Sequence, residues 1–88
     1  MIVEVSVGTD ISHSGVWSPK ANIRKLIFGT RYRVLVDGSQ HGHANWSGIL
    51  LAGLMTGLQV LGANIGDLVE MSFDTSAEVL ELELLSGE

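Results

Sequence analysis

The sequence predicts an α+β protein: a small, mostly antiparallel β-barrel or curled sheet of about four to six strands with one or two short helices. Three observations support this fold class. Several segments alternate between apolar and other side chains, as half-buried strands do. Two segments carry the start and stop residues of helices. The 88 residues, without an internal repeat or linker, are enough for one domain, which we expect to span residues 1–88.

The first strand is predicted at "IVEVSV", where every second residue is valine. One face, which we expect to be buried, carries Val3, Val5 and Val7, and the other carries Ile2, Glu4 and Ser6. The next segment, "GTDISHSG", is rich in turn-forming residues and is predicted to be a loop.

A helix is predicted in "WSPKANIRKLIFG" from its end signals. Ser18 is the expected N-cap, Pro19 occupies the first turn, and Gly29 follows the last residue. The i, i+3, i+4 spacing of apolar residues gives the helix a buried face, formed by Ile23, Leu26 and Ile27.

Three further strands are predicted from alternation at "RYRVLV", "LVEMSF" and "VLELELL". In the first of these, Arg31 and Arg33 share a face. Asp37-Gly38 is a strong hairpin signal, so "SQHGHA" is predicted to return as an edge strand interrupted by glycine. In the last strand the leucines point inward while Glu81 and Glu83 point outward.

The stretch "WSGILLAGLMTGLQVLGANIGD" is apolar for most of its length. A helix is predicted from Ile49 to Leu61, ended by Gly62. A membrane span needs about 20 mainly apolar residues, whereas the apolar run from Ile49 to Ile65 has seventeen and is interrupted by Gly53 and Gly57. We therefore expect it to pack against protein rather than to cross a membrane.

Two interpretations of the glycines in this helix remain open. Gly53 and Gly57 either let the helix lie close to its own sheet or form a helix–helix contact in a homodimer, as small residues do elsewhere. The predicted dimer interface consists of Leu50, Gly53, Leu54, Gly57 and Leu58. A domain of this size without cysteine has a marginal core and no disulfide, so we expect a homo-oligomer.

Charge is distributed unevenly along the chain, whose formal net charge is −5. Seven of the ten acidic residues lie from Asp67 onward. All five basic residues fall within fourteen consecutive positions; they are Lys20, Arg24, Lys25, Arg31 and Arg33. A basic segment of this kind can contact phosphates, and Trp17, Tyr32 and Trp46 could stack on unpaired bases. The sequence thus predicts a nucleic-acid-binding regulator, and the alternative is a homo-oligomeric protein-interaction module or accessory protein with no nucleic-acid role. The basic residues could instead form a solvated face that balances Glu81 and Glu83.

Catalytic and metal-binding signatures are not apparent in the sequence. No nucleophile elbow, phosphate-binding loop or zinc-protease motif is present, so we expect no enzyme and no cofactor. His41 and His43 could share a strand face and begin a metal site, but nothing places His13 or Asp37 as the third ligand that catalytic zinc requires. The first twenty residues lack the pattern of a signal peptide, which favours a cytoplasmic location.

The segment "LGANIGDLVEMSFD" resembles the closing unit of AbrB-type and B3-type barrels, a helix followed by Gly-Asp and an alternating strand. The order of motifs from Val3 to Asp74 also resembles the bacterial YdeI-associated domains of unknown function: an early strand, then Trp17 and Pro19, then "RVLVDG", then "ANIGDLVEMSFD". The resemblance implies a small barrel. AbrB-type domains carry a proline and basic residues before the helix, whereas this chain has the neutral "NWSGILLAG", so their DNA-contact role is not carried over.

Overall fold

The computed structural model describes residues 1–86, and in this range the chain forms six strands and three short helices. In chain order these are β1 (Ile2–Ser6), α1 (Thr9–Ser14), α2 (Ala21–Arg24), β2 (Arg31–Val36), β3 (Ser39–Trp46), β4 (Leu51–Ala52), α3 (Met55–Leu61), β5 (Leu68–Asp74) and β6 (Val79–Ser86). The strands form one curled sheet in the order β1-β5-β6-β2-β3-β4. All neighbouring pairs are antiparallel except β2 and β6, which are parallel. The predicted α+β curled sheet is confirmed.

The core lies on the concave face of the sheet, where α3 packs. Every second residue of β2, β5 and β6 points into it, including Val34, Met71 and Leu82. Gly57 lets α3 approach closely, because a Cβ at this position would lie 2.8 Å from Val34 Cγ1 and 2.9 Å from Leu82 Cδ1. Of the two interpretations of Gly57, the structure shows the contact with the protein's own sheet.

The predicted helix from Ile49 to Leu61 is wrong in its first half. Leu51 and Ala52 form β4 and pair with Trp46 and Asn45 of β3, and the helix begins only at Met55. Gly48 and Gly53 both have φ of +94°, a conformation that interrupts a helix and that glycine adopts easily. The backbone pairing with β3 therefore overrides the apolar helical pattern.

The helix predicted after Trp17 is shorter than expected. It covers four residues, Ala21–Arg24, with Lys20 rather than Ser18 at its N-cap. The Tyr32 hydroxyl donates a hydrogen bond to the Phe28 carbonyl oxygen, which ties the segment after the helix to the start of β2. The two residues are four positions apart, but the i, i+3, i+4 spacing of apolar residues carries no signal for a bond from a side-chain hydroxyl to a carbonyl oxygen.

The segment "GTDISHSG", predicted to be a loop, contains α1. The helix α1 has one buried residue, Ile11. A helix with one buried residue has no apolar periodicity that a sequence pattern could reveal. The helix ends at Gly15, whose φ is +67°. A Cβ on Gly15 would lie 2.6 Å from the backbone nitrogen of Met55, so glycine allows the end of α1 to pass against the start of α3.

The strand β3 is longer than the predicted "SQHGHA" and lies between β2 and β4, so it is not at an edge of the sheet. Leu35 pairs with Gln40 and Arg33 with His43, which leaves His41 and Gly42 opposite the single residue Val34. This is a β-bulge, with Gly42 at φ +77°.

Candidate binding cleft and charged sheet face

The curled sheet is open along β1. Within the part of the chain that the structure describes, β1 pairs with β5 alone. Met1 and Phe73 exchange both backbone hydrogen bonds, with N···O distances of 3.1 and 2.8 Å. Bonded residues alternate along an antiparallel strand, so the N–H and C=O groups of Ile2, Glu4 and Ser6 point away from β5.

The opposite border of the opening is the segment 16–18. Trp17 and Leu51 exchange both backbone hydrogen bonds, each with an N···O distance of 2.8 Å. By the same alternation, the backbone groups of Val16 and Ser18 point away from β4. In residues 1–86 these groups, like those of β1, have no backbone hydrogen-bond partner.

A cleft of about 600 Å³ lies between β1, α1 and the segment 16–18. Val5, Ile11, Trp17 and Leu50 provide apolar surface, and Ser6, Thr9 and Ser18 contribute hydroxyl groups. The volume falls in the range of ligand pockets, about 300 to 1,000 Å³, and the mixed lining is typical of them. We call this feature the open cleft.

Asp10 of α1 contributes the one ionisable side chain among the residues that line the open cleft. Ser14 Oγ is already engaged, since it donates to the Asp10 carbonyl oxygen at 2.6 Å. The Asp10 carboxylate is exposed.

The convex outer face of the sheet carries a row of three carboxylates. Glu4 lies directly opposite Glu70, and Glu70 directly opposite Glu83, across β1, β5 and β6. Like charges in directly opposed positions destabilise a sheet. Glu81 does not belong to this row, because the residues directly opposite it are Ser72 and Leu35. We call Glu4, Glu70 and Glu83 the acidic row.

Arg31 and Arg33 are exposed on the same outer face, on β2. With His43 they line a hollow of about 340 Å³ that also includes Ala77 and Glu78. Arg33 Nη2 donates to the Ala77 carbonyl oxygen at 3.5 Å. The hollow thus combines two guanidinium groups with a carboxylate, so its positive field is weaker than the sequence alone indicated.

The other basic residues lie at α2 and do not line this hollow. Lys20 and Lys25 are exposed. Arg24 is half-buried, and its Nε is buried without a hydrogen-bond partner in the described residues. The basic segment predicted as one binding surface is therefore divided between α2 and β2.

The tryptophans predicted as stacking platforms are in the core. Trp17 and Trp46 are each 7% exposed and Tyr32 is 1% exposed. The Trp17 ring lies 6.5 Å from that of Phe73, and the Tyr32 ring lies edge-on to Phe73 at 5.4 Å. Stacking of Trp17 or Trp46 on nucleic-acid bases is thus not available in this fold.

The residues predicted as a dimer interface are also mostly internal. Leu54 and Leu58 are 0% and 5% exposed, and Gly57 is buried on the side of α3 that packs against the sheet. Gly53 packs against β3, where an added Cβ would collide with the His43 carbonyl oxygen. Of the five, Leu50 is the one large side chain exposed, at 41%. Leu54, Gly57 and Leu58 therefore lie inside one chain, because β4 joins this stretch to the sheet, whereas Leu50 and Gly53 are exposed.

The histidines considered for a metal site lie at the bulge of β3. The bulge places Gln40 on the face of His43, and their Nε2 atoms are 3.4 Å apart. Among residues 1–86, no three His, Cys, Asp or Glu side chains come together to hold a metal ion. Within that range, His41 and His43 have no third ligand beside them.

Burial raises the pKa of the Tyr32 hydroxyl above its ordinary value of 10.0, and the negative charge of Glu78 raises it further. The neutral hydroxyl donates to the Phe28 carbonyl oxygen. The folded state therefore favours the protonated form of Tyr32.

Comparison with known proteins found no matching family model, no matching curated protein and no matching solved structure. The resemblance to AbrB-type, B3-type and YdeI-associated domains therefore stays a prediction. None of the helices in residues 1–86 has the length and apolar character needed to cross a membrane.

Sequence analysis did not identify the open cleft. Alternation in "IVEVSV" indicated a strand, but its position at the edge of the sheet depends on pairing with β5, far along the chain. Ser18 was assigned to a helix cap rather than to a cleft border. The available signal is the turn-rich stretch "GTDISHSG" around Ile11, which is typical of an exposed segment near a ligand site.

Proposed function

We propose that the protein is a non-catalytic binding module that captures an extended segment of a partner protein in the open cleft. The observation that carries the proposal is the unpaired backbone on both borders, at β1 and at the segment 16–18. An extended peptide can add to such an edge as a further strand, with affinity from main-chain hydrogen bonds and specificity from alternate side chains.

The spacing of the free backbone groups favours a peptide over other ligands. On β1 they recur at Ile2, Glu4 and Ser6, which is the repeat that an extended chain matches. Inward side chains of the added strand would contact the cleft lining, in which Leu50 at 41% is the most exposed apolar residue, and burial of its apolar surface would add to the binding free energy.

A proline substitution at the border tests the proposal. Ser6→Pro removes an N–H that points away from β5, a position where edge strands tolerate proline, whereas Ser6→Ala keeps that N–H. We expect the alternating, neutral peptide Gly-Ser-Thr-Val-Gln-Val-Thr-Ser-Gly to bind wild type and Ser6→Ala, monitored by amide chemical shifts, and not to bind folded Ser6→Pro. Equal binding to Ser6→Pro, or no binding to wild type, would contradict the proposal.

Nucleic-acid binding is a second candidate, favoured by one observation. Arg31 and Arg33 project from one exposed face beside His43, and paired cations of this kind contact phosphates. We expect any mobility shift of mixed DNA or RNA oligonucleotides at low salt to be lost in Arg31→Ala plus Arg33→Ala. Lys20→Ala plus Lys25→Ala removes the same charge from α2 and serves as the matched control. Absence of any shift with the wild type removes this candidate.

A homo-oligomer and a cytoplasmic location remain predictions from the sequence. The oligomer can no longer use Leu54, Gly57 or Leu58, since they are buried within one chain. Light scattering on the purified protein measures its mass directly, and a monomeric mass would contradict the prediction.

A further inference from the structure

We infer that the strand captured in the open cleft carries a lysine or arginine directly opposite Glu4, with apolar residues on either side of it. This inference rests on the proposed function. The residue that pairs with Glu4 would lie on the convex face and would extend the acidic row, because Glu4 already lies opposite Glu70 and Glu70 opposite Glu83.

The negative charge of the acidic row favours a cation in the position opposite Glu4. Glu4 is exposed at the edge of the sheet, and β1 has one neighbour, β5, which presents another carboxylate. Opposite charges in directly paired positions stabilise a sheet and like charges destabilise it. A cation opposite Glu4 would therefore relieve repulsion along the row, whereas a fourth carboxylate would increase it.

The lining of the open cleft, on the concave side of the sheet, determines which residues are favoured on either side of the cation. Successive side chains of a strand point to opposite faces, so the residues beside the cation would point toward Val5, Ile11 and Trp17. These side chains line the open cleft with little exposed area, and Leu50, at 41%, is the most exposed apolar residue of the lining. The partner segment is thus an alternating one, apolar–basic–apolar, rather than a uniformly basic one.

The same geometry disfavours a second copy of this chain as the occupant. If two β1 strands paired antiparallel in full overlap, the central residue Glu4 would lie opposite the Glu4 of the other copy. A charged residue at an exposed edge is a common means of preventing such pairing. The edge of β1 is therefore better suited to a different chain that carries a cation opposite Glu4.

Three peptides that differ at one position test the inference. The probes are Gly-Ser-Thr-Val-Lys-Val-Thr-Ser-Gly and its counterparts with Gln or Glu in place of Lys, titrated into wild-type protein at low salt. We expect the Lys peptide to bind about tenfold more tightly than the Glu peptide, with the Gln peptide between them. The difference should narrow at high salt, where exposed charges are screened.

Charge reversal at Glu4 provides the decisive comparison. Glu4→Lys should invert the order so that the Glu peptide binds most tightly. Glu81→Lys makes the same change in net charge on the same face, but Glu81 lies on β6, separated from β1 by β5, and it should leave the order unchanged.

The outcomes separate the two proposals. Equal binding of all three peptides, or the same inversion in Glu81→Lys, overturns this inference and leaves strand capture intact. No binding of any peptide overturns the proposed function itself. Inversion in Glu4→Lys alone supports both.

Discussion

Trp17 and Leu51 exchange both backbone hydrogen bonds at 2.8 Å, although they lie far apart in the sequence. This pair attaches the segment 16–18 to the outer side of β4 and places the Trp17 ring against Phe73 of β5. The curled sheet therefore has two borders that face one cleft, and in the described residues the backbone groups that point away from β5 and from β4 have no backbone hydrogen-bond partner. The open cleft lies where β1 and the segment 16–18 are not joined by a further strand.

Gly57 should be intolerant of even one added methyl group. In Gly57→Ala the new Cβ would contact Val34 Cγ1 and Leu82 Cδ1 at less than 3.0 Å, and overpacking of this kind costs about 1 to 3 kcal/mol. Helix propensity offsets about 1 kcal/mol of this. We expect a net decrease in the free energy of unfolding, measured by urea denaturation.

Gly8→Ala is the matched control for Gly57→Ala. Nothing lies within 4 Å of a Cβ built on Gly8, and its φ of −97° suits alanine. Its loss of stability should stay at the low end of N-cap substitutions, about 0.5 kcal/mol. A Gly57→Ala protein as stable as the Gly8→Ala protein would contradict the close packing of α3.

Removing the central carboxylate of the acidic row should stabilise the protein. Glu70 has a carboxylate directly opposite on each side, Glu4 and Glu83. Glu70→Gln should raise the free energy of unfolding by about 0.5 kcal/mol at low salt, and the gain should shrink as salt screens the repulsion. Glu81→Gln removes the same charge between Ser72 and Leu35 and should have a smaller effect. Equal gains in the free energy of unfolding from both variants would show that net charge alone causes the stabilisation, and would contradict repulsion within the acidic row.

Stability should fall at alkaline pH because of Tyr32. Burial, and then Glu78, raise the pKa of its hydroxyl above 10.0 in the folded state, so the folded protein holds this proton more tightly than the unfolded chain. The contribution of Tyr32 is fully present below pH 10.0 and is lost as pH rises from there through the folded pKa.

Tyr32→Phe separates this effect from other titrations. The variant loses the hydrogen bond to Phe28, which lowers the free energy of unfolding by about 1 kcal/mol near neutral pH. The loss should diminish above pH 10.0. Since Tyr32 is the only tyrosine, tyrosinate absorbance reports its pKa directly. A midpoint at or below 10.0 would contradict the burial.

The sequence predicted the elements whose signals are local. Alternation located β1, β2, β5 and β6, and it correctly assigned Leu82 to the buried face and Glu81 to the exposed face. Gly62 was correctly placed just after the last helix.

Elements determined by distant pairing could not be predicted in this way. Leu51 lies in an apolar run that favours a helix, yet it is drawn into the sheet by Trp46 on one side and Trp17 on the other. The same pairing buries both tryptophans, which removes them from the predicted binding surface. The open cleft depends on these pairings and on the edge position of β1, so no local pattern indicates it.

Amide hydrogen exchange along β1 tests the central claim most directly. In the free protein, the amides of Val3 and Val5 should exchange slowly because they point to β5, and those of Glu4 and Ser6 should exchange rapidly because they point into the opening. Saturating amounts of the Val-Lys-Val peptide should then slow the amides of Glu4 and Ser6. Slow exchange of Glu4 and Ser6 in the free protein, or no change when the peptide is bound, would contradict capture of a strand at this edge.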